Sequence, residues 1–585
     1  MKAKRKVLLL FTIMCISFFA FGATTASADS TEQLRYIELN GEICITGCKS
    51  SETTIDIPET IDGKPVTSIG DSAFSKCYSL TSVTIPNSVR SIGDSAFYYC
   101  EDLISIKIPN SLECIGDYAF YKCTGLTGIT IPDSVTSIGN DAFSQCTGLT
   151  SITIPGSVIN IDSGAFSDCD GLTEVIIQNG VRSIGDYAFY WCGKLEKLTI
   201  PESVETIGVQ AFYNCGRLEN ITIPDSVTGI GEKAFYQTGY YDNDSNWEAD
   251  VLYIDNHLIE AGWFIGTEIG KNISGDYAIK PGTKTVGDYA FQYCNKLTNI
   301  TIPNSVVSIG NYAFGSCTDL TSITIPESVT KIGECTFLVC VNLTGISVAE
   351  GNTAYCEENG ILYNKEKTEI ICFPSEKTDT SFAIPSSVTR IVGGAFSNCQ
   401  RLTNITIPEG VISIGDSAFY VCTGLTGIII PDGVVSIGNS AFYHCVSLTS
   451  VTIPNSVMSI GSSAFHECDK LKKVNYIGSA EDWGNIEKGY NYSISDSIIT
   501  YCKGIKATRS ADGKIVVSPI NIESGKTVIL ALYSGDKLIE MQSGIYDGTE
   551  VPFTPEKTYT YAKIMVWGSL DGMVPECGAK TLRID

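Results

Sequence analysis

Leu80-Thr-Ser-Val-Thr-Ile-Pro-Asn-Ser-Val-Arg-Ser-Ile-Gly-Asp-Ser-Ala-Phe-Tyr-Tyr-Cys100 is the stretch that decides the fold. Side chains alternate sides along an extended strand, so Val83 and Ile85 face an apolar interior, which Leu80 joins from the start of the segment, while Ser82 and Thr84 face outward. Pro86 ends the strand, because it has no N–H to give to a ladder. Val89 and Ile92 supply a second apolar edge, and Ala96 with Phe97 plugs a third side. One such unit cannot bury these residues alone. It needs a copy above and a copy below.

The copies are present. The Ala-Phe pair recurs with its Phe at 74, 97, 120, 143, 166, 189, 212 and 235, again at 291, 314 and 337 (the last as Thr336-Phe337), and at 396, 419, 442 and 465, always 23 residues apart within a block. The gaps between blocks are 56 and 59 residues, each two repeat lengths plus 10 or 13, which predicts one degenerate unit and a short insertion in each gap. Self-similarity at a fixed period predicts a repeat solenoid. A glycine stands four residues before the Phe in thirteen units, the exceptions being Asp162 and Val392. That recurrence predicts a turn with positive φ or a close backbone approach.

The pattern C-x-x-L-x-x-I-x-I-P-x-S-V-x-x-I-G-x-x-A-F, running from about residue 55 to 504, resembles the BspA-like (treponemal-type) bacterial leucine-rich repeats. The resemblance implies a curved, right-handed leucine-rich-repeat solenoid with a parallel β-sheet built from the L-x-x-I-x-I segments. It also implies export and display on, or shedding from, a bacterial surface. Several related proteins are described as adhesins for host matrix proteins or other cells. No particular ligand follows, since fold and function separate readily.

The chain is organised around that block. Lys2, Lys4, Arg5 and Lys6, the apolar run Val7 to Gly22 and the Ala26-Ser27-Ala28 triplet make 1–28 a cleaved signal peptide. The run is shorter than the roughly 20 residues a membrane span needs. Residues 29–54 are expected to form an N-terminal cap and 55–468 the repeats, with insertions near 240–279 and 350–374. Val251 to Ile259, with Asp255-Asn256 at its turn, and Gly360 to Cys372 each read as a hairpin. Such insertions either project and carry specificity or merely interrupt the stack. Residues 469–504 read as a C-terminal cap, where Ser479-Ala-Glu-Asp482 opens a short helix into Trp483 and Ile486, and a strand follows over Ile498 to Tyr501. From 505 to 585 the repeat gives way to β-rich runs at Ile515, Thr527 to Tyr533, Leu538 to Met541 and Thr558 to Trp567, which suggest a small β-sandwich. Met565 to Pro575 resembles the end of immunoglobulin-like modules of secreted bacterial proteins.

Charge and rare residues narrow the function. The chain has 40 Lys and Arg against 65 Asp and Glu, a net charge of −25, which argues against nucleic acid as a partner. Loss of the leader leaves 36 against 65, or −29. His257, His444 and His466 are the three histidines, and none sits in a nucleophile motif. Fourteen of the 23 cysteines fall three residues after the repeat Phe, as Cys100 does after Phe97. Stacked side chains point the same way, so these read as a buried thiol ladder that holds no metal. Cys44 and Cys48 are the better disulfide candidates. Asp242 to Glu248 alternates oxygen ligands, but Trp247 and Tyr253 replace the glycine and glutamate a calcium loop needs, so it reads as a solvated turn.

The candidate binding surface is the outward strand column represented by Thr130, Thr153, Thr301 and Thr324, interrupted by residues such as Lys107, Ile176 and Ile429. Thr also suits any exposed strand through β-propensity. Trp247 and Trp263 in the first insertion, beside Tyr240 and Tyr241, are alternative anchors. The expectation is a secreted or cell-surface binding and adhesion protein without catalytic residues or cofactor. Its partner would be an extracellular protein or glycan of host matrix or another cell surface. Membrane contact is expected only through the signal peptide before cleavage. The alternative is an exported hydrolase that uses the repeats as a substrate platform.

Overall fold

The computed structural model describes residues 34–48, 52–262, 273–501 and the tail stretches 504–509, 515–520, 526–534, 537–546, 551–555, 561–567 and 580–583. The proposed signal peptide and Trp263 lie outside the described residues. The chain divides into two compact units. The first takes in residues up to 296 together with 300–314 and 328–336; the second comprises 297–299, 315–327 and 337 onward.

In the first unit each 23-residue turn has three sides. The I-x-I-P strand, such as Ser82–Thr84, pairs in parallel with its copy Ser105–Lys107, Val83 opposite Ile106. The second side is the Ser-Ile pair, Ser91–Ile92 bonding to Cys114–Ile115 in parallel register. The third side contains Ala96 and Phe97 and is not a strand, yet it is fully bonded. The N–H groups of Ser95, Phe97 and Tyr99 donate to the carbonyls of Asp117, Ala119 and Tyr121 one turn on, at 2.7, 2.7 and 2.8 Å. The intervening N–H groups of Ala96, Tyr98 and Cys100 close local turns onto Gly93, Ser95 and Phe97. Leu80, Val89, Ala96, Phe97 and Cys100 are all inaccessible to solvent. Phe97, Phe120 and Phe143 stack at centroid separations of 5.1 and 5.0 Å with ring planes 4° and 6° apart.

The ladders differ from the expected single sheet. The Ser-Ile ladder is the longer, joining ten strands from Leu34–Leu39 to Gly229–Ile230 along one path. The I-x-I-P strands instead form short sheets of two to four strands. The recurring glycine explains the continuity. Gly93 does not have positive φ; a Cβ there would stand 2.4 Å from Asp71 Oδ1 and 2.7 Å from Asp71 N, so glycine at this position lets the two turns approach. Positive φ falls two residues later and again at Tyr99 (Ser95 55°, Tyr99 59°), and in the two turns without the usual glycine that first site is Gly164 or Gly394.

Both predicted hairpins are present, and neither stands apart from the stack. Val251–Ile254 and His257–Ala261 pair antiparallel, Ile254 opposite His257, and the returning strand then pairs in parallel with Thr285–Val286. In the second unit Ile361–Asn364 and Glu369–Cys372 do the same, the latter running parallel to Arg390–Ile391. Each hairpin therefore supplies the missing Ser-Ile rung of a degenerate turn. The second unit has its own core from Ile361 to Ile494, against which the helix Ala480–Asn485 packs through Trp483. Ser479 and Asp482 form the capping box there, and Trp483 and Ile486 are buried. A 3-10 turn over Asp496–Ile498 precedes the last solenoid strand, so that strand begins at Ile499 rather than Ile498.

The tail forms two antiparallel sheets. One contains Gly504–Arg509, Ile515–Ile520 and Val551–Phe553; the other contains Lys526–Ser534, Lys537–Tyr546, Tyr561–Trp567 and Lys580–Arg583. The sandwich packing expected of them rests on side chains outside the described residues, as does most of Met565 to Pro575.

The proposed Cys44–Cys48 disulfide is excluded by geometry. Both lie on the strand Glu42–Cys48. Four residues of extended chain separate their Cα atoms by about 13 Å, beyond the roughly 7 Å a disulfide tolerates. The repeat cysteines form the expected ladder: Cys123, Cys146 and Cys169 are buried, and each thiol donates to the carbonyl of the Phe 26 residues earlier, at 3.1–3.2 Å.

Candidate binding surface

Three columns of hydroxyls run up the solenoid, and the structure separates their roles. Thr150 and Thr173, immediately after the repeat Leu, donate to the carbonyls of Thr127 and Thr150 one turn below, at 3.4 and 3.1 Å. Ser111 and Ser157, after the strand-ending Pro, donate to Val89 and Val135 carbonyls at 2.7 and 2.6 Å. These two columns hold turns together. The third column carries Thr130, Thr153, Thr301 and Thr324, all exposed. Among the described residues their hydroxyls bond to no protein group, so each offers a free donor and acceptor to solvent.

Thr130 and Thr153 occupy adjacent turns of the first unit. Thr301 lies on another rung of that unit, and Thr324 belongs to the second. Thr153 is in register with Ile176 and then Thr199, while Thr324 is in register with Ser347.

Thr130 and Thr153 share a depression of about 640 Å³ lined also by Asn110, Asp133, Ser134 and Gln178. It forms where the I-x-I-P ladder is interrupted. One sheet ends at Ser105–Lys107, the next starts at Ser151–Ile154, and the rung over 128–132 belongs to neither. Ser134 reports the same gap: its buried hydroxyl has no partner, where Ser111 and Ser157 each reach a carbonyl. Gln178 replaces the usual Pro. Its N–H donates to Ile154 O at 3.0 Å, and its side-chain oxygen accepts from Gly156 N at 3.3 Å. The result is a hydroxyl-, amide- and carboxylate-lined hollow with apolar Ile129 and Ile131 in its wall.

The aromatic candidates are mostly committed to packing. Trp247 is half-buried; its indole N–H donates to Tyr241 O at 2.8 Å, and its ring meets Tyr241 edge-on at 5.2 Å. Tyr241 is buried with its hydroxyl on Glu260, and the Tyr240 hydroxyl donates to Tyr253 O. The preceding Asp244–Asn246 is a 3-10 turn capped by Asn243. Another aromatic surface combines half-buried stacked tyrosines with Trp191, which a positive-φ corner presents outward. Tyr190, Tyr213 and Tyr236 stack at 5.2 and 5.4 Å, and Trp191 beside them is 48% exposed. The sequence signal for this surface is a tyrosine directly after the repeat Phe at 23-residue spacing, with Trp191 beside it.

The histidines do not converge. His257 is buried in the first unit, 3.2 Å from Pro224 O, and burial lowers its pKa. In the second unit His444 pairs with Glu467 at 2.7 Å, and His466 contacts Asn491 and Ser493. Among the described residues no three His, Cys, Asp or Glu side chains gather as for a metal ion. Nor is any described helix long and apolar enough to cross a membrane.

Three-sided turns of 23 residues, stacked with inward Leu, Ile, Val, Ala and Phe, define a parallel β-solenoid of the leucine-rich-repeat class. The chain belongs to the BspA type leucine-rich repeat family, whose model matches residues 41–171, 113–241, 284–379 and 366–487. Among solved structures, it is similar to a leucine-rich repeat protein from Bacteroides ovatus at 25% identity, covering 82% of this chain and all of that one, with a TM-score of 0.36. It is also similar to a leucine-rich cell surface protein from Faecalibacterium prausnitzii (24% identity, 80% of this chain, 99% of that one, TM-score 0.32). The T. pallidum leucine-rich repeat protein is 37% identical over 33% of this chain and 91% of its own, with a TM-score of 0.31. No curated protein matches the chain.

Proposed function

We propose that this chain is an exported binding and adhesion scaffold that recognises an extracellular protein or glycan through the outward threonine column. Recognition is deepest at the hollow around Thr130 and Thr153. The observation that carries this reading is a division of labour among the hydroxyls: those of Ser111, Thr150, Ser157 and Thr173 are spent on stacking turns, while those of Thr130, Thr153, Thr301 and Thr324 are left free. The basic start, apolar run and Ala26-Ser27-Ala28 triplet support export. Uncharged hydroxyls on a strongly acidic chain favour many weak hydrogen bonds over a long footprint rather than a charged hot spot.

The test is a binding screen of the full mature chain against matrix proteins and surface glycans. It is repeated with Thr130→Glu and Thr153→Glu together, which would place unpaired charge against the ligand. Loss of the bound ligand at unchanged melting temperature is the expected result. Retained binding that instead disappears with Trp191→Ala would move recognition to the aromatic corner. Turnover of a screened glycan or peptide would replace the scaffold reading with the hydrolase.

A further inference from the structure

The first rung of the cysteine ladder is built differently from those above it. Cys123, Cys146 and Cys169 each point at a backbone carbonyl of the turn below, so no two thiols face one another. Cys77 is the lowest repeat cysteine, and the place below it is taken by Cys48 at the end of the strand Glu42–Cys48. The two Sγ atoms lie 3.4 Å apart and are hydrogen-bonded to each other. A disulfide requires about 2.05 Å, so closure needs only side-chain rotation and a small local shift. Cys48 is buried, whereas Cys77 is partly exposed and reachable. The Arg35 guanidinium donates to Cys48 O at 3.0 Å, which places a fixed positive charge beside the pair.

We propose that Cys48 and Cys77 are a disulfide-forming pair that staples the N-terminal hairpin to the first repeat. The staple is relevant to the exported state proposed above, because such bonds persist in oxidising compartments. The oxidant is an exchangeable disulfide, RSSR′. The Cys77 thiolate attacks one sulfur and expels R′S⁻, leaving a mixed disulfide. Cys48 then gives its proton to water and attacks the Cys77 sulfur, expelling RS⁻. Two thiols are oxidised to one disulfide while RSSR′ is reduced to two thiols. Electrostatics suit these roles: the hydrogen bond from Cys48, aided by the Arg35 charge, lowers the Cys77 thiol to about 7, while Cys48 is pushed up. Cys123, Cys146 and Cys169 are instead raised by burial and spent on carbonyls, so these rungs of the column do not offer a reactive thiolate.

The full mature chain is equilibrated in oxidised and reduced glutathione, alkylated and digested with trypsin without reduction. Cleavage gives Tyr36–Lys49, which carries Cys44 and Cys48, and Cys77–Arg90. The expected product is these two peptides joined, with fragmentation placing the bond on Cys48, and the link surviving in Cys44→Ser. Both peptides recovered as free alkylated thiols at every glutathione ratio would overturn the proposal. So would a bond located on Cys44. Export is read separately, by whether protein recovered from culture begins at Asp29, so failure of the export reading and failure of the pairing are distinguishable.

Discussion

Phe120→Ala probes the solenoid core at its most regular point. The ring is fully buried and sandwiched between Phe97 and Phe143, at 5.1 and 5.0 Å with near-parallel planes. Truncation removes the transfer energy of the ring and leaves a cavity, together about 3–5 kcal/mol. Each lost stacking partner accounts for about 0.5–1.5 kcal/mol of aromatic geometry, part of which that range already contains. About 4 kcal/mol is the working figure. The void cannot close easily, because Ala119 and Ala142 are pinned by the Phe97 N–H to Ala119 O and Phe120 N–H to Ala142 O bonds, both 2.7 Å. Turns couple mainly to their neighbours, so the damage should be local. The assay is urea unfolding followed by far-UV circular dichroism, with hydrogen exchange to locate the weakened turns. Amides of the turns around 97–143 should open first, and a reduced m-value would mark separate melting of the flanking arrays. A loss below about 1 kcal/mol with unchanged m would refute the account of the core.

Four further outcomes follow from the same geometry. Gly116→Ala would place a Cβ 2.5 Å from Asp94 Oδ1 and 2.7 Å from Asp94 N, so it should cost about 2–3 kcal/mol in denaturant melts. Gly128→Ala meets nothing within 4 Å and should change stability by less than about 0.5 kcal/mol. Burial first, and then the Asp117 carboxylate, raises Asp162 to about 6. The folded state thus holds that proton more tightly than the unfolded chain, whose value is about 3.9. Its stabilising effect is full below that lower value and is lost as pH rises through about 6, so Asp162→Asn should flatten the stability slope between about pH 4 and 6 by about 1 kcal/mol after solvent screening. Finally, Cys123, Cys146 and Cys169 should resist alkylation in the reduced native protein and react fully in urea, as read by peptide mass spectrometry.

Much of this architecture is written in the repeat. Inward Leu80, Val83, Ile85, Val89, Ile92 and Phe97 are each legible because a 23-residue period fixes which side chains meet their own copies. The role of Gly93 was readable only as two alternatives, and backbone approach decided between them. Other features depend on contacts that periodicity does not encode. The third side looks like loop in sequence, yet alternate N–H groups from Ser95 to Tyr99 bond it to the next turn. Cys48 lies outside the repeat, so its meeting with Cys77 depends on how the N-terminal hairpin enters the ladder. The hollow at Thr130 arises from an unpaired rung over 128–132 whose sequence, Gly-Ile-Thr-Ile-Pro, differs little from that of paired neighbours. The threonine column itself was visible; that its hydroxyls are free while those of Thr150 and Thr173 are spent required the structure.

That contrast gives the most direct test of the central claim. Two double variants of the full mature chain, Thr130→Val with Thr153→Val and Thr150→Val with Thr173→Val, are compared for affinity toward the ligand found in the screen and for melting temperature. The outward pair should lose affinity with no change in melting temperature. The stacking pair should keep its affinity and lose about 0.5–1.5 kcal/mol of stability for each hydrogen bond removed. Unchanged affinity in the outward pair would contradict the account, because the column would then be scaffold and recognition would lie elsewhere.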